Sequence, residues 1–256
     1  MEIQKSTGVV LSSFPGGEAD RIARIFTREY GKRTFVFKGI RKSRKRSTLV
    51  AEPGTVVDLM YYYHDNREYQ VAGEFQVRDH FYSIREDLER IFHLYLILET
   101  VEKITGFNDP NRQVFDLLAR GLETLSSSHY PVNVTLFFLI HLFRLNGILP
   151  DFSSCKICGK QNLAGFTLDY HDCTPVCVNC SGGSRMQGSS LFSSGTGEFL
   201  RLAGMRKFKD IDHRVFSGDE PHHVLFSLCM FVEYYFQIML KSKASLFSDQ
   251  RDGHHV

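Results

Sequence analysis

The chain has 256 residues, 43% of them hydrophobic and 23% charged, with a formal net charge of only +2 and no tryptophan. That length can bury one large core or two to three smaller ones, and the composition excludes disordered and collagen-like classes. The opening Met1-Glu2-Ile3-Gln4-Lys5-Ser6 lacks the apolar core of a secretory signal, so the six cysteines are not expected to form a disulfide framework.

From residue 6 to about residue 79 the pattern is strand-like. Short β-branched or aromatic runs at 7–11, 21–27, 34–38, 55–63 and 69–77 are separated by the turn residues Pro15-Gly16-Gly17, Tyr30-Gly31-Lys32, Pro53-Gly54 and Asp65-Asn66. Val57, Leu59, Tyr61 and Tyr63 alternate onto one face. Five strands with a long connection between the third and fourth suit a small closed barrel. An OB-type barrel, a fold that often binds oligonucleotides, and an SH3-like barrel both fit the pattern.

That long connection carries the strongest charge signal in the chain. Residues 30–51 hold eight bases (Lys32, Arg33, Lys38, Arg41, Lys42, Arg44, Lys45 and Arg46) and no acid, so the rest of the chain is net acidic. Concentrated positive potential attracts a polyanion, which binds with release of counterions. Lys38 at the strand end and Arg41, Lys42, Arg44, Lys45 and Arg46 are the candidate phosphate contacts, with no sequence reading implied. Strand alternation leaves the direction of Arg33 open. Phe35, Phe37, Tyr61, Tyr62 and Tyr63 are candidate stacking platforms for unpaired bases, although most belong to the expected core; Tyr62, out of phase, is the one expected to be exposed. Glu18 and Asp20 lie in a turn with no His, Ser or Cys pattern beside them, so a turn role is expected.

At residue 83 the period changes to helical. Ser83-Ile84-Arg85-Glu86 reads as a capping box ahead of Leu88, Ile91, Phe92, Tyr95 and Leu98. A second helix is expected with Asp109 as N-cap and Pro110 at its first position, and a third after Pro131, stopped by Gly147 and Pro150. Three helices joined by short loops suggest a compact bundle. The apolar runs 134–145 and 224–240 contain His141, Arg144, Glu233 and Gln237, which favours buried helices over membrane spans.

Cys155-Lys156-Ile157-Cys158 and Cys177-Val178-Asn179-Cys180 are two CxxC pairs with 18 residues between them, a structural-zinc spacing. Each turn aims two thiolates at one ion. Two turns complete a tetrahedron with no open position for water, which makes the site structural. His171 and Cys173 are alternative ligands, and Cys229 sits in an apolar helix as a small core residue. Gly/Ser-rich stretches at 181–184 and 188–190 lead to helices near 195–206 and 220–241, and residues after Phe247 read as a tail. His222-His223 reads as the exposed first turn of the last helix. No Walker-type loop and no catalytic constellation is found.

In this order the pieces resemble the RecO family of bacterial recombination mediators, over residues 8 to about 240. The resemblance rests on Gly8-Val9-Val10-Leu11 with Gly17-Glu18-Ala19-Asp20, on residues 26–32 with Lys38-Gly39-Ile40-Arg41-Lys42, on Gly147-Ile148-Leu149-Pro150-Asp151, and on the two CxxC pairs. Ile40 stands where the family usually has a small residue, and Ser43 where it often has proline. The resemblance implies an α+β multidomain chain: an N-terminal OB-type β-barrel followed by an α-helical domain with an inserted four-cysteine zinc module. The boundaries expected are 1–80 for the barrel, 81–150 for a helical bundle, 151–186 for the zinc module, 187–247 for C-terminal helices and 248–256 for the tail.

The same resemblance implies a non-enzymatic role in DNA repair. The chain would bind single- and double-stranded DNA, anneal complementary strands and help load RecA onto DNA coated by single-strand-binding protein. Its implied partners are RecR and that protein's C-terminal tail, in the RecFOR pathway, in a bacterial cytoplasm at the nucleoid. The competing readings are an RNA-binding barrel and zinc module acting in translation or ribosome assembly, and a nuclease, for which the sequence offers no ligand set.

Overall fold

A computed structural model describes residues 2–45, 47–169, 171–182, 190–208 and 220–247. Arg46, most of the Gly/Ser-rich stretch and the tail from residue 248 lie outside the described residues. By its internal contacts the chain divides into two compact units, Met1–Ser127 and Ser128–Val256.

In the first unit, strands β1 (Glu2–Pro15), β2 (Arg21–Thr27), β3 (Gly31–Phe37), β4 (Val56–Tyr63) and β5 (Tyr69–Asp79) close into a barrel with the order β1-β2-β3-β5-β4. This is an OB-like barrel. Its first strand serves two neighbours: Glu2 to Val9 pairs with β4, and Gly8 to Pro15 pairs with β2. A register irregularity between Val10 and Ser12 bends β1 from one partner to the other. Parallel pairing of Thr34 to Val36 with Tyr69 to Val71 joins β3 to β5. Inward alternation fills the interior with Val10, Ala23, Ile25, Phe35, Phe37, Val57, Leu59 and Tyr61, and Phe35 meets the Tyr61 ring edge-on at 4.8 Å.

Three helices complete this unit: α1 (Tyr82–Arg85), α2 (Leu88–Ile104) and α3 (Arg112–Ser127). The last turn of α2 is fastened to the barrel. Arg24 Nη1 donates to Glu102 Oε1 at 2.6 Å, and Ser12 Oγ donates to the same oxygen at 3.0 Å. The Lys32 ammonium donates to the Glu102 and Thr105 carbonyls, so a barrel cation caps the helix C-terminus, where the macrodipole favours it. Burial lowers the Lys32 pKa from its usual value, opposed by the nearby Glu102 carboxylate.

Two expected caps are corrected. Ser83 does not cap; its hydroxyl donates to the Ser126 carbonyl, and the α2 cap is Asp87, whose carboxylate accepts from Glu89 N and Arg90 N. A tertiary hydrogen bond has claimed the serine, and an acid one turn later takes the role. Likewise α3 begins at Arg112, with Asn111 Oδ1 accepting from Val114 N, because Asp109 belongs to a segment laid against β3. There Asn108 N donates to the Lys32 carbonyl at 3.0 Å.

The second unit is built round α4 (Pro131–Leu145), which starts with Pro131 at its first position and is buried along nearly all of its length. Helices α5 (Ser194–Ala203) and α6 (Glu220–Phe236) pack on it, through Phe137 with Phe199 and Phe143 with Phe231. Of the helices in residues 81–150, α1 to α3 belong to the first compact unit and α4 to the second. A helix so widely apolar needs cover on most sides, and α4 finds it on α5 and α6. Gly147 N bonds Arg144 O and Ile148 N bonds Phe143 O, the paired hydrogen bonds of a Schellman ending. Strands β6 (Gly165–Leu168), β7 (Pro175–Cys177) and β8 (Phe192–Ser193) form a small antiparallel sheet, and α7 (Lys243–Leu246) follows α6. Helix α6 stops at Phe236, earlier than its apolar pattern suggests, because Gln237 turns left-handed at φ 52° and Glu233 accepts from Leu240 N.

Gly31 holds the seam between the barrel and the 106–109 segment. Its φ is +72°, and a Cβ there would lie 2.3 Å from the Asp109 carbonyl oxygen. Gly17, at φ +94°, has nothing within 4 Å of a Cβ. We expect Gly31→Ala to destabilise the first unit by about 3 kcal/mol or more, combining left-handed strain with a backbone clash, and Gly17→Ala by roughly 1 kcal/mol. Urea unfolding of the two variants checks this; equal midpoints would refute it.

Candidate nucleic-acid interface and candidate metal centre

The basic connection is not a free loop. After β3 the chain turns through Gly39 at φ 64° into a short 3₁₀ segment (Ile40–Lys42), and a second 3₁₀ segment (Thr48–Ala51) leads back towards β4. Ile40, Val50 and Ala51 are all buried in the barrel core. Ile40 thus serves as an apolar anchor. Between these anchors, residues 41–45 and 47–48 form an arch beyond the end of β3.

The β1–β2 turn lies against this arch and supplies acceptors to it. Asp20 Oδ1 accepts from Gly39 N at 2.8 Å, and Asp20 Oδ2 accepts from Lys38 Nζ at 2.6 Å. Arg41 N donates to Ala19 O and Arg41 Nη1 to Gly17 O, while Lys42 Nζ lies 3.1 Å from Glu18 Oε2. The Lys38 hydrogen bond and then the Gly39 N–H hold the Asp20 carboxyl below its usual value of 3.8.

The described bases of this stretch, all but Arg46, therefore sort by environment. Lys32 and Arg33 are buried at 5% and 8% exposure. Arg33 lies at the opposite end of the barrel, donating to Asn108, Gln4 and Tyr61 with its guanidinium over the Tyr63 and Tyr30 rings. Lys38, Arg41 and Lys42 are engaged by the β1–β2 turn. Arg44 and Lys45 are exposed, and their side chains form no ion pair with any described residue. Among the aromatic candidates, Phe35, Phe37 and Tyr61 are core residues, Tyr63 is half-buried against Arg33, and Tyr62 is 55% exposed.

The sequence reading missed the part played by the β1–β2 turn. Acids spaced Glu18-x-Asp20 before a basic loop are the available signal, but only the barrel brings the two segments together.

In the second unit, Cys155, Cys158, Cys177 and Cys180 converge, with all four Sγ atoms within 4.8 Å of one another. Cys158 Sγ lies 3.8 Å from Cys177 Sγ. A tetrahedron of Zn–S bonds of about 2.3 Å has edges of about 3.8 Å, so the donor set fits zinc in both chemistry and size. The first knuckle is shaped by hydrogen bonds from Gly159 N to Cys155 O and from Cys155 N to Lys160 O, and the second by Cys180 N to Cys177 O.

Burial pushes the Cys155 thiol up, but backbone N–H groups of Cys177, Cys158 and Ile157 outweigh it and bring the value to about 6. Hydrogen bonding to Cys158 pushes Cys180 up to about 12. The thiolate is thus favoured at Cys155 and the thiol at Cys180, and a bound divalent cation would favour the ionised form of its thiol ligands. Cys173 is fully buried and outside this group, and His171 sets its ring edge-on to Tyr234. No helix among the described residues is long and apolar enough to cross a membrane.

Because Lys38 and Gly39 lower the Asp20 pKa, the clasp is fully formed above 3.8 and is lost as pH falls through the lower, folded-state value. A carboxyl-carbon NMR titration is expected to place Asp20 below 3.8, and Lys38→Ala to move it back towards that value. A titration unchanged by Lys38→Ala would refute the clasp.

Comparison with known proteins was consistent across both units. Residues 1–81 match the family model described as recombination protein O N terminal, and residues 85–244 match recombination protein O C terminal. A DNA repair protein RecO of Prosthecochloris aestuarii is 29% identical over 61% of this chain and 60% of its own length. One from Caldanaerobacter subterraneus is 29% identical over 71% of this chain and 72% of its own length. One from Frankia casuarinae is 31% identical over 78% of this chain and 81% of its own length. The barrel, the helices that follow it and the four-cysteine cluster thus occur in a chain that belongs to the recombination protein O family of DNA repair proteins.

Proposed function

We propose that the chain is a recombination mediator that acts by binding and exchange rather than by covalent chemistry. It holds single- and double-stranded DNA on the arch of the barrel through Arg44, Lys45 and Arg46, with Lys38, Arg41 and Lys42 completing the surface. The observation that carries this reading is the pairing of two unengaged cations, Arg44 and Lys45, with a loop whose ends are core residues. A phosphate backbone then meets a shaped surface and not a flexible tether, so little ordering entropy is lost on binding.

From that surface the protein anneals complementary strands and, with RecR, helps RecA nucleate on DNA covered by single-strand-binding protein. It competes for the strand and engages that protein's C-terminal tail at once. The second unit, with its zinc module, is the part we assign to protein partners. We place the protein in the bacterial cytoplasm at the nucleoid. Cys155, Cys158, Cys177 and Cys180 would hold one zinc ion, which supplies cross-linking of the two knuckles and therefore folding energy.

The clasp shapes the electrostatics of binding. Arg44 and Lys45 meet phosphate directly, whereas Lys38 and Lys42 must first give up Asp20 and Glu18. Replacing Arg44 and Lys45 by Ala is expected to weaken single-strand binding and reduce the log–log salt slope by roughly 0.7 per cation removed. Lys42→Ala is expected to change the slope less. Fluorescence anisotropy over a salt series, run with matched DNA and RNA strands, measures both; an unchanged slope in the double variant sinks the reading, and strong RNA preference replaces it with a translational role. Annealing of complementary strands coated with the cognate single-strand-binding protein, with and without this chain, tests the mediator step.

Metal analysis of freshly reduced protein is expected to give about one zinc per chain, and Cys158→Ser or Cys177→Ser to lose the ion and lower the unfolding midpoint. Protein that is folded, reduced and free of metal would overturn the zinc assignment.

A further inference from the structure

The barrel end away from the basic arch contains a cavity of about 180 Å³ lined by Arg33, Thr34, Tyr63, Asp65, Arg67, Glu68, Gln70, Phe107 and Asn108. Its floor is Arg33, more than nine-tenths buried and without a carboxylate partner. Nε donates to Asn108 Oδ1 at 2.9 Å, and Nη1 donates to Gln4 and Tyr61. Nη2 makes none of these bonds and is solvent-accessible, so it remains available as a donor to the cavity that Arg33 lines. A guanidinium fixed through its other two nitrogens presents that donor at a set position, which suits a ligand acceptor.

Three features narrow the ligand. The cavity is well below the size of an ordinary small-molecule site and has room for one planar ring system. Tyr63 and Phe107 supply aromatic surface to it. Its charges balance, with Arg33 and Arg67 against Asp65 and Glu68, and the two carboxylates form no ion pair with described residues. A neutral cavity does not select phosphate. It suits an uncharged ring that offers acceptors on one edge and donors on another. Among the bases, guanine offers O6 and N7 to an arginine, and its N1–H and N2–H₂ to a carboxylate.

We propose that this cavity takes a single unpaired guanine, with Arg33 Nη2 and the Asn108 amide on its acceptor edge and Asp65 or Glu68 on its donor edge. The inference deepens the single-strand-binding reading and rests on it. Lys38 directly follows β3, five residues beyond Arg33 and about 16 Å from it at the rise of a strand. One strand can therefore lie on the arch and reach the cavity within the roughly 4–16 nucleotides that an OB domain covers. The arch then holds backbone without regard to sequence, and the cavity adds a local preference for guanine.

The test uses the full chain and two probes. In saturation-transfer NMR with the four free deoxynucleosides, deoxyguanosine is expected to give the strongest transfer from tyrosine and phenylalanine protons. Asp65→Asn combined with Glu68→Gln, both exposed positions, is expected to abolish that preference, as is Arg33→Lys. Equal transfer to all four nucleosides, or a preference that survives both variants, overturns the proposal. In the second arm, an eight-nucleotide thymidine strand is compared with the same strand carrying one central guanine. At least about fivefold tighter binding of the latter is expected. Equal binding of the two strands overturns the cavity assignment and leaves the DNA-binding reading standing. Failure of both to bind overturns the DNA-binding reading, and the nucleoside arm still decides the cavity.

Discussion

Burial of Ile40, Val50 and Ala51 in the barrel core is the constraint on which the rest of the first unit depends. A run of like charges repels itself and by preference extends into solvent. Here the hydrophobic effect acts on both ends of the run, each buried side chain contributing on the order of 1.5–3 kcal/mol for the larger apolar residues. Arg44 and Lys45 are thereby tethered on both sides to the barrel core. The Gly17–Asp20 turn then neutralises part of that charge from below. Cohesion of the core is thus what sustains the electrostatic tension on the surface.

The parts of this structure legible in the sequence are those decided locally. Alternation in Val57-x-Leu59-x-Tyr61-x-Tyr63 needs no tertiary information, nor does the pairing of two CxxC turns, nor Pro131 as a helix start. The barrel, the helical succession and the metal cluster follow from such signals. Lys32 and Arg33 show where they fail. Adjacent strand residues face opposite sides, so one of the two should be exposed, yet both are buried because β3 is covered on its outer face as well. Segment 106–109 and the end of α2 form that cover, and no pattern within residues 30–51 announces it.

The misplaced helix starts have the same origin. Ser83, Asp87, Asp109 and Asn111 are all competent N-caps by residue type. Which one caps is settled by the other demands on each: Ser83 is drawn to Ser126 O, and Asp109 lies against Gly31. Spacing shows that helices exist, while their partners are chosen by which apolar faces remain to be covered. For α4 a count of its apolar residues shows that cover is needed on most sides but does not name the neighbour.

Strand β1 has one more consequence, and it concerns the order of events in folding. Its first half pairs with β4, with partners such as Glu2 and Tyr63 or Val9 and Val56 far apart in the chain, and its second half with β2, which follows at once. The β1–β2 hairpin is a local, fast event; the β1–β4 ladder closes a long loop and is slow by comparison. Residues 38–55 lie inside that loop. Ile40 and Val50 reach a finished core only after the ladder has zipped, so topology sets the forming of the cationic arch after that of the β1–β2 hairpin. Until then the nascent chain presents its strongest positive charge on an unstructured segment, and the maturation of that surface is timed by topology.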